Sequence, residues 1–147
     1  MADTLLRALF INFIAASGAV AGHSYDTLPD NDDTAVTPST TVDTFGNYAQ
    51  VASTVGAADI WQCGVLISNS TVTDIKVGIG TGLSGAEAAK ITVPAMIISA
   101  AGYASYVGLP FPIRVPSGTR LAARAKQGLT TAPTLTVVVE FATGLSG

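Results

Sequence analysis

The chain has 147 residues, enough for one domain of ordinary size with a single hydrophobic core. Hydrophobic residues make up 48% of it and charged residues only 12%, about half the usual charged share, and the mean hydropathy is +0.48. So few charges predict that apolar surface meets a partner, and a net charge of −3 argues against a nucleic-acid binder, which needs clusters of Lys and Arg.

The charges are divided unevenly along the chain. Residues 1–59 carry seven acidic side chains and one basic one, whereas residues 60–147 carry three acidic and six basic ones, so the net charges are −6 and +3. Opposite charges of this kind attract each other, either within one subunit or between neighbouring subunits. The alternative interpretation is that the charges are dispersed and serve only solubility.

The first predicted element is an apolar helix near the N-terminus. Asp3 or Thr4 can cap its start, residues 5–16 contain neither Gly nor Pro, and Gly18 can end it. A helix that is apolar almost all round must be buried, against its own domain or in a neighbouring subunit. It is too short, and too interrupted by polar residues, to span a bilayer. The interface residues predicted on it are Leu5, Leu6, Leu9, Phe10 and Phe13.

The next segment, residues 23–47, has the composition of an extended and solvated connection. It contains Pro29, Pro38, a run of aspartates and repeated threonines, all of which suit a linker. We therefore predict two parts: an N-terminal helix and extended arm over residues 1–45, and a β-sandwich domain over residues 46–147.

The rest of the chain shows the two-residue alternation of strands with one buried face. In the first of these strands the odd positions Trp61, Cys63, Val65 and Ile67 are expected to face the core. Turn residues separate the strands and no helical period lies between them. The predicted fold class is therefore all-β, an antiparallel two-layer sandwich of the jelly-roll kind. Alternation predicts strands over 60–68, 74–80, 120–126 and 134–141, with weaker candidates over 48–54, 90–93, 96–99, 103–109 and 111–115.

No set of side chains is suited to a catalytic cycle, so neither an enzyme activity nor a cofactor is predicted. The only histidine, His23, lies in the predicted arm, and the only cysteine, Cys63, is expected in the core. The two glutamates, Glu87 and Glu140, have no spacing that suggests a catalytic carboxylate pair. The acidic run at 30–33 offers oxygen ligands for Ca²⁺ but lacks the spacing of a calcium loop, so a solvated turn is preferred and no metal site is predicted.

Four basic residues in the second half form the main predicted surface feature. They are Arg114, Arg120, Arg124 and Lys126. By alternation the last three share one side of a strand, and Arg114 lies across the turn at 116–118. Four cations without interleaved aromatic residues are a weak signal for nucleic acid, so neither nucleic acid nor membrane is predicted as a partner. We predict a subunit–subunit ion-pair surface, with plain solvent exposure as the alternative.

The stretch from Phe111 to Arg124 reads Phe-Pro-Ile-Arg-Val-Pro-Ser-Gly-Thr-Arg-Leu-Ala-Ala-Arg. It follows a Gly-rich strand at 76–80 and precedes a Thr- and Val-rich strand at 134–141. In this order, residues 45–143 resemble the small β-sandwich virion proteins of tailed bacteriophages. The resemblance implies a non-enzymatic virion protein, assembled in the host cytoplasm, and favours a trimeric capsid decoration (cement) subunit. Its partner would be the major capsid protein or another virion protein, and the helix over 5–16 has no counterpart in that family.

Two other functions stay open at this point. One is a tail or fibre-type structural subunit, which the same resemblance covers. The other is a secreted carbohydrate-binding module, because the N-terminal residues imitate a signal peptide that would be cleaved after Ala19-Val20-Ala21.

Overall fold

The computed structural model describes residues 24–29, 32–68, 74–96, 105–128, 130 and 134–143. Within these ranges the chain forms nine strands and no helix, and no membrane-spanning helix is found there. The helix predicted over 5–16, with its five interface residues, lies outside the described residues. The strands are β1 (Ser24–Leu28), β2 (Thr34–Val36), β3 (Ala49–Ala52), β4 (Ile60–Ser68), β5 (Asp74–Thr81), β6 (Ala88–Met96), β7 (Ser105–Val115), β8 (Leu121–Gln127) and β9 (Leu135–Thr143).

The nine strands form two antiparallel sheets. Sheet A has the strand order β1-β9-β4-β7, with β2 also paired to β9, and sheet B has the order β3-β8-β5-β6. The chain pairs like one long hairpin that folds back between β5 and β6. Its strand pairs are β2·β9, β3·β8, β4·β7 and β5·β6. Rolling that hairpin up adds the pairs β4·β9 and β5·β8. This is the jelly-roll arrangement of eight strands in two sheets, so the predicted two-layer antiparallel sandwich is confirmed.

The core lies between the two sheets and is built from alternate residues of the strands. Removing one such Val, Leu or Ile side chain from water contributes about 1.5–3 kcal/mol, which in sum opposes the entropy cost of ordering the chain. Since the described residues contain no disulfide, apolar burial holds the two sheets together. Aliphatic side chains with 0–1% of their surface exposed are Val36, Val65, Ile67, Ile75, Val77, Ile79, Val115, Leu121, Leu135, Val137 and Val139.

A β-bulge in β4 corrects the predicted orientation of its first half. The pairing register shifts between Gln62 and Gly64 relative to both neighbouring strands, and one extra residue exchanges the two faces of a strand. Ile60 and Gln62 are therefore buried in the interior, 2% and 0% exposed. Trp61 and Cys63, which were expected in the core, are only half-buried and face outward. The expectation holds for Val65 and Ile67 beyond the bulge.

The predicted solvated connection over 23–47 is corrected where it contains strands. β1 pairs with β9 over its whole length, and β2 pairs with β9 from Thr34 to Val36. Val36 is fully buried and belongs to the core. The alternation in Thr34-Ala35-Val36 is only three residues long, which is too short to be distinguished from a linker in the sequence. The sandwich therefore includes residues before position 46, and only an arm over 1–23 stays a prediction.

Candidate interaction surface

The four basic residues predicted at a subunit interface lie on two different sheets. Arg114 is near the end of β7 and lies opposite Trp61 on the outer face of sheet A. Arg124 and Lys126 project from β8 on the outer face of sheet B, and Arg120 directly precedes that strand. The structure thus places three of the four residues in or beside β8 of sheet B and Arg114 on sheet A. Whether they contact another subunit stays a prediction.

Arg114 is paired with an acidic residue of the same chain. Its guanidinium nitrogens Nε and Nη2 lie 2.7 and 2.5 Å from Oδ2 of Asp59. The backbone N–H of Ser117 donates to the other carboxylate oxygen at 2.9 Å. The hydrogen bond from Ser117 and then that from Arg114 lower the pKa of Asp59 below its ordinary value. This pair is exposed to solvent, so it holds the turn after β7 in place and adds little stability.

Arg120 is paired with Glu87 in a more enclosed setting. Nη1 of Arg120 lies 2.5 Å from Oε1 of Glu87, and the two side chains are 14% and 5% exposed. Nε of Arg120 also donates to Oε1 of Gln50 at 3.3 Å. Burial raises the pKa of Glu87, but backbone hydrogen bonds and the Arg120 guanidinium outweigh it, so the pKa is lowered overall. Such a shielded charge pair is a strong hydrogen bond that links the β5–β6 connection to the start of β8.

Arg124 lies over two aromatic rings. Its guanidinium carbon is 4.3 Å from the ring centre of Phe45 and 4.5 Å from that of Tyr48, which are cation–π distances. Lys126 lies 5.6 Å from the Phe45 ring and forms a 3.5 Å ion pair with Asp43. Among the described residues, no ion pair is found for Arg124. The segment 43–48 therefore covers the outer face of β8 by stacking on its cations.

Two glycines of β5 make room for these rings. A methyl group added at Gly78 would lie 3.4 Å from the Phe45 ring, and one added at Gly80 would lie 2.8 Å from the Tyr48 ring. The glycines thus allow close approach of aromatic side chains to the sheet. Phe45 and Tyr48 were not among the predicted site residues, although the alternate glycines Gly78 and Gly80 in one strand are a signal that side chains approach the sheet closely there.

An open groove of about 550 Å³ borders this cluster. It is lined by Phe45, Tyr48, Glu87 and Arg124 together with the turn at 84–86. The hydroxyl of Tyr48 and Nε of Arg124 are buried with no hydrogen-bond partner among the described residues. A second groove, of about 500 Å³, lies on the other side of the same segment, between residues 35–40 and 45–49.

On the outer face of sheet A, a tyrosine covers a glycine of β4. An added methyl group at Gly64 would overlap the hydroxyl end of Tyr106. Burial, and then the nearby charge of Glu140, raise the pKa of Tyr106 well above its ordinary value. Cys63 lies on the same face, and its thiol donates to the backbone oxygen of Trp61 at 3.1 Å. Burial raises the pKa of this thiol, so it is a poor nucleophile at neutral pH.

Some large apolar side chains are exposed at the periphery of the sandwich. Leu83, in the connection between β5 and β6, is 80% exposed, and Phe111 on β7 is 78% exposed. Phe111 lies between Pro110 and Pro112 on a strand at the edge of sheet A. Prolines on an edge strand hinder the addition of a further strand. A contact at this edge would therefore use the Phe111 side chain rather than backbone pairing.

The described residues contain no group of three or more His, Cys, Asp or Glu side chains placed to hold a metal ion. Asp32 and Asp33 are exposed, and the backbone N–H of Asp33 donates to the carboxylate of Asp32. Residues 30 and 31 and His23 lie outside the described residues.

No protein-family model and no curated protein matches the chain. Among solved structures, it is similar to a chain of infectious bursal disease virus, Gx strain, with a TM-score of 0.44 and 14% identity. That match covers 82% of this chain and 32% of the other, so the chain spans about a third of the viral protein. It is also similar to a chain of the virus-like particle of extra small virus from the giant freshwater prawn Macrobrachium rosenbergii. That match has a TM-score of 0.28 and 12% sequence identity, and it covers 84% of this chain and 82% of the other. These scores are too low to decide the function of the chain.

Proposed function

We propose that the chain is a non-enzymatic structural protein of a virus particle. More specifically, we propose a capsid decoration (cement) subunit of a tailed bacteriophage, as the resemblance of residues 45–143 implies. The observation that carries the proposal is a jelly roll with a filled interior whose exposed apolar side chains lie at its periphery.

The filled interior argues against a ligand-binding or catalytic site between the two sheets. Binding sites for small molecules are concave cavities with a few polar groups that orient the ligand. Here the described part of the space between the sheets is occupied by aliphatic side chains, most of them 0–1% exposed. The surfaces left for function are the sheet edges, the connections and the outer faces.

The peripheral apolar residues are suited to contacts between subunits. Leu83 and Phe111 are large side chains that the subunit leaves 80% and 78% exposed. Buried aromatic and aliphatic anchors of this kind dominate the energy of protein–protein interfaces. In the proposal they contact neighbouring copies, in a homo-oligomer for which a trimer is favoured, or the major capsid protein.

The predicted N-terminal arm is the second contact of the proposal. An arm that reaches a neighbouring subunit raises the effective concentration of every other contact, so a weak surface contact becomes stable occupancy. Because residues from Ser24 onward belong to the sandwich, the arm in this proposal comprises residues 1–23. The basic residues on β7 and β8 are proposed as further interface residues.

The carbohydrate-binding alternative has less support. Sugar sites commonly present exposed aromatic rings beside a groove, but the Phe45 and Tyr48 rings beside the groove already have the Arg124 guanidinium on one ring face. The strongly exposed ring of Phe111 does not line either of the two grooves described above. A tail or fibre-type subunit differs from the proposal only in its place in the particle.

The test is occupancy on particles that carry the protein. We expect Phe111→Asp and Leu83→Asp to reduce the number of bound copies at least about tenfold, because each buries a charge in an apolar contact. Ser53→Asp adds the same charge at an exposed polar position and should leave occupancy unchanged. Cryo-EM should place the density on the head. Unchanged occupancy of Phe111→Asp and Leu83→Asp, or density in the tail, contradicts the decoration role.

A further inference from the structure

The side chain of Arg124 is held in place, but its charge is not matched. Its guanidinium carbon lies 4.3 and 4.5 Å from the ring centres of Phe45 and Tyr48. Aromatic rings hold a cation but offer no oxygen atom to the five N–H donors of a guanidinium. Among the described residues, neither an ion pair nor a hydrogen bond of this side chain is found, and its Nε is buried without a partner. The cation is therefore positioned for an acceptor that these residues do not supply.

The described acidic side chains around this cation already have partners. Glu87, which lines the same groove, is bound by Arg120 at 2.5 Å and also accepts backbone hydrogen bonds, one of them from Gly85. Asp43 forms its ion pair with Lys126 at 3.5 Å. With Arg124, these are three basic and two acidic side chains, a local net charge of +1. One further carboxylate would neutralise this charge, whereas a doubly charged phosphate would leave an excess of negative charge beside Glu87.

The shape of the site admits a side chain of another protein. The groove beside Arg124 has a volume of about 550 Å³ and is open to solvent between the segment 45–48 and the turn at 84–86. Leu83 directly precedes this turn and is 80% exposed. An arginine with a large exposed apolar side chain nearby is typical of contacts between proteins, where such residues contribute most of the binding energy. The site is therefore better suited to a side chain of a protein than to a free ion.

The two sheets carry opposite net charges on their outer sides. On the side of sheet B the described residues include five basic and three acidic side chains, a net charge of +2, whereas on the side of sheet A they include one basic and five acidic ones, a net charge of −4. Complementary charge favours contact between the sheet B side of one copy and the sheet A side of another. The residues are Lys76, Lys90, Arg120, Arg124, Lys126, Asp43, Asp74 and Glu87 on the side of sheet B, and Arg114, Asp26, Asp32, Asp33, Asp59 and Glu140 on the side of sheet A.

Two aspartates at the edge of sheet A are suited to enter the groove. Asp26 lies on the edge strand β1, and Asp32 lies in the connection from β1 to β2. Both are exposed, and no ion pair is found for either of them in the described part of the chain. One oxygen of each carboxylate accepts the backbone N–H of the next residue, at 2.8 and 2.9 Å. Each carboxylate therefore has lone pairs left for a guanidinium.

We propose that the groove beside Arg124 receives a carboxylate from the sheet A side of a second copy of the chain, supplied by Asp26 or Asp32. A guanidinium binds a carboxylate through two parallel N–H···O hydrogen bonds, which gives the contact direction as well as energy. Because the two contributing surfaces differ, the contact is head-to-tail, and repeated contacts of this kind close into a ring such as a trimer where the rotation permits. The proposal rests on the homo-oligomer of the proposed function and is independent of the position in a particle.

The first test measures self-association of the full-length chain by sedimentation equilibrium. Arg124→Gln removes the cation, and Ser84→Glu places a carboxylate on the exposed wall of the groove without changing the stacked rings. We expect each variant to raise the dissociation constant at least about tenfold, and Asp26→Asn combined with Asp32→Asn to do the same, because a desolvated charge pair loses one partner. An unmodified chain that stays monomeric at every concentration, or variants with unchanged dissociation constants, would overturn the proposal.

Matched controls separate the groove from a general attraction between charges. Lys90→Gln removes an exposed positive charge from the same sheet outside the groove, and Ser53→Glu adds a negative charge at an exposed position outside it. Both should change the dissociation constant less than about threefold, because exposed charges are screened by salt. Equal effects of Lys90→Gln and Arg124→Gln would overturn the proposal, since the attraction would then not depend on the groove.

The second test mixes two variants that each fail to associate alone. Arg124→Gln keeps both aspartates, and the Asp26→Asn, Asp32→Asn double variant keeps the groove, so one head-to-tail contact can form between them. At a protein concentration between the dissociation constants of the unmodified chain and the variants, we expect dimers in the mixture and monomers in the separate solutions. A mixture without dimers would overturn the proposal. Particle occupancy is measured separately, so failure here leaves the virion role intact.

Discussion

Replacing the buried glutamine of β4 by leucine is expected to stabilise the protein. Gln62 is 0% exposed, and neither Oε1 nor Nε2 of its side chain has a hydrogen-bond partner in the described part of the chain. It lies opposite Ile113 and Phe141 in the two neighbouring pairings. Burying an unsatisfied amide costs about 1–3 kcal/mol in proteins. Because Gln62→Leu removes that cost with a side chain of similar volume, we expect the free energy of unfolding to rise by about 1–3 kcal/mol.

Urea unfolding followed by circular dichroism measures this change directly. With an m-value of about 2 kcal/mol/M, a gain of about 2 kcal/mol raises the midpoint by about 1 M at unchanged slope. Gln127, the corresponding buried glutamine of β8, is 1% exposed and equally without partners among the described residues, so Gln127→Leu should behave alike. Asn47→Leu, at an exposed amide shortly before β3, is the control and should change stability by less than about 0.5 kcal/mol.

A loss of stability in Gln62→Leu would refute the reasoning. It would mean that the amide is hydrogen-bonded in the native protein, for instance to an internal water molecule, and that leucine strands that partner. A changed m-value would instead indicate a different native or denatured state, and the comparison of midpoints would then not measure the amide.

Three further substitutions test the contacts outside the core. Gly64→Ala should lower the free energy of unfolding by about 1–3 kcal/mol, because the added methyl group overlaps Tyr106. The control Gly108→Ala places its methyl group 3.4 Å from the same ring and should be tolerated. Equal losses of stability in the two variants would contradict the predicted overlap. Asp59→Asn should lower the urea midpoint at pH 7 but not near about pH 2. The native pKa of Asp59 is lowered, so its carboxylate stabilises the folded state above the ordinary pKa of 3.8, and this stability is lost as the pH falls through the native pKa. Arg124→Lys should cost about 1 kcal/mol in urea unfolding because ring stacking is weakened, and an unchanged midpoint would show that the stack is not stabilising.

The strands with strict alternation could be predicted closely. The predicted range 60–68 coincides with β4, and the other three strong candidates differ from β5, β8 and β9 by one or two residues at an end. These strands lie in the interior of the two sheets, where one face must be apolar and the pattern is therefore strong.

The strands at the sheet edges were harder to predict. The candidate 90–93 lies within β6, which extends to Met96, and residues 97–99 of the next candidate lie outside the described residues. The candidates 103–109 and 111–115 correspond to the single strand β7 over its described residues, Ser105–Val115. Pro94 and Pro110, which divided them in the sequence, are tolerated because both strands are edge strands, the place in a sheet where proline is found.

The sequence analysis left open whether the opposite charges of the two halves attract within one subunit. The ion pairs of Arg114 with Asp59 and of Lys126 with Asp43 each join a basic residue of the second half to an acidic residue of the first. Attraction within the subunit is confirmed for these two pairs. The identity of the pairs could not be read from spacing, because the partners are far apart in the chain.

What the sequence by itself determined is the fold class: alternation over stretches of seven to nine residues, with turn residues between them, requires sheets with one buried face. Only the tertiary structure decided which faces those are and what lies on them. The bulge after Gln62 turns Trp61 and Cys63 outward, and the roll of the chain brings Phe45 and Tyr48 onto Arg124. Such contacts join residues that are distant in sequence, so no local pattern records them; they form only when packing has brought the strands together.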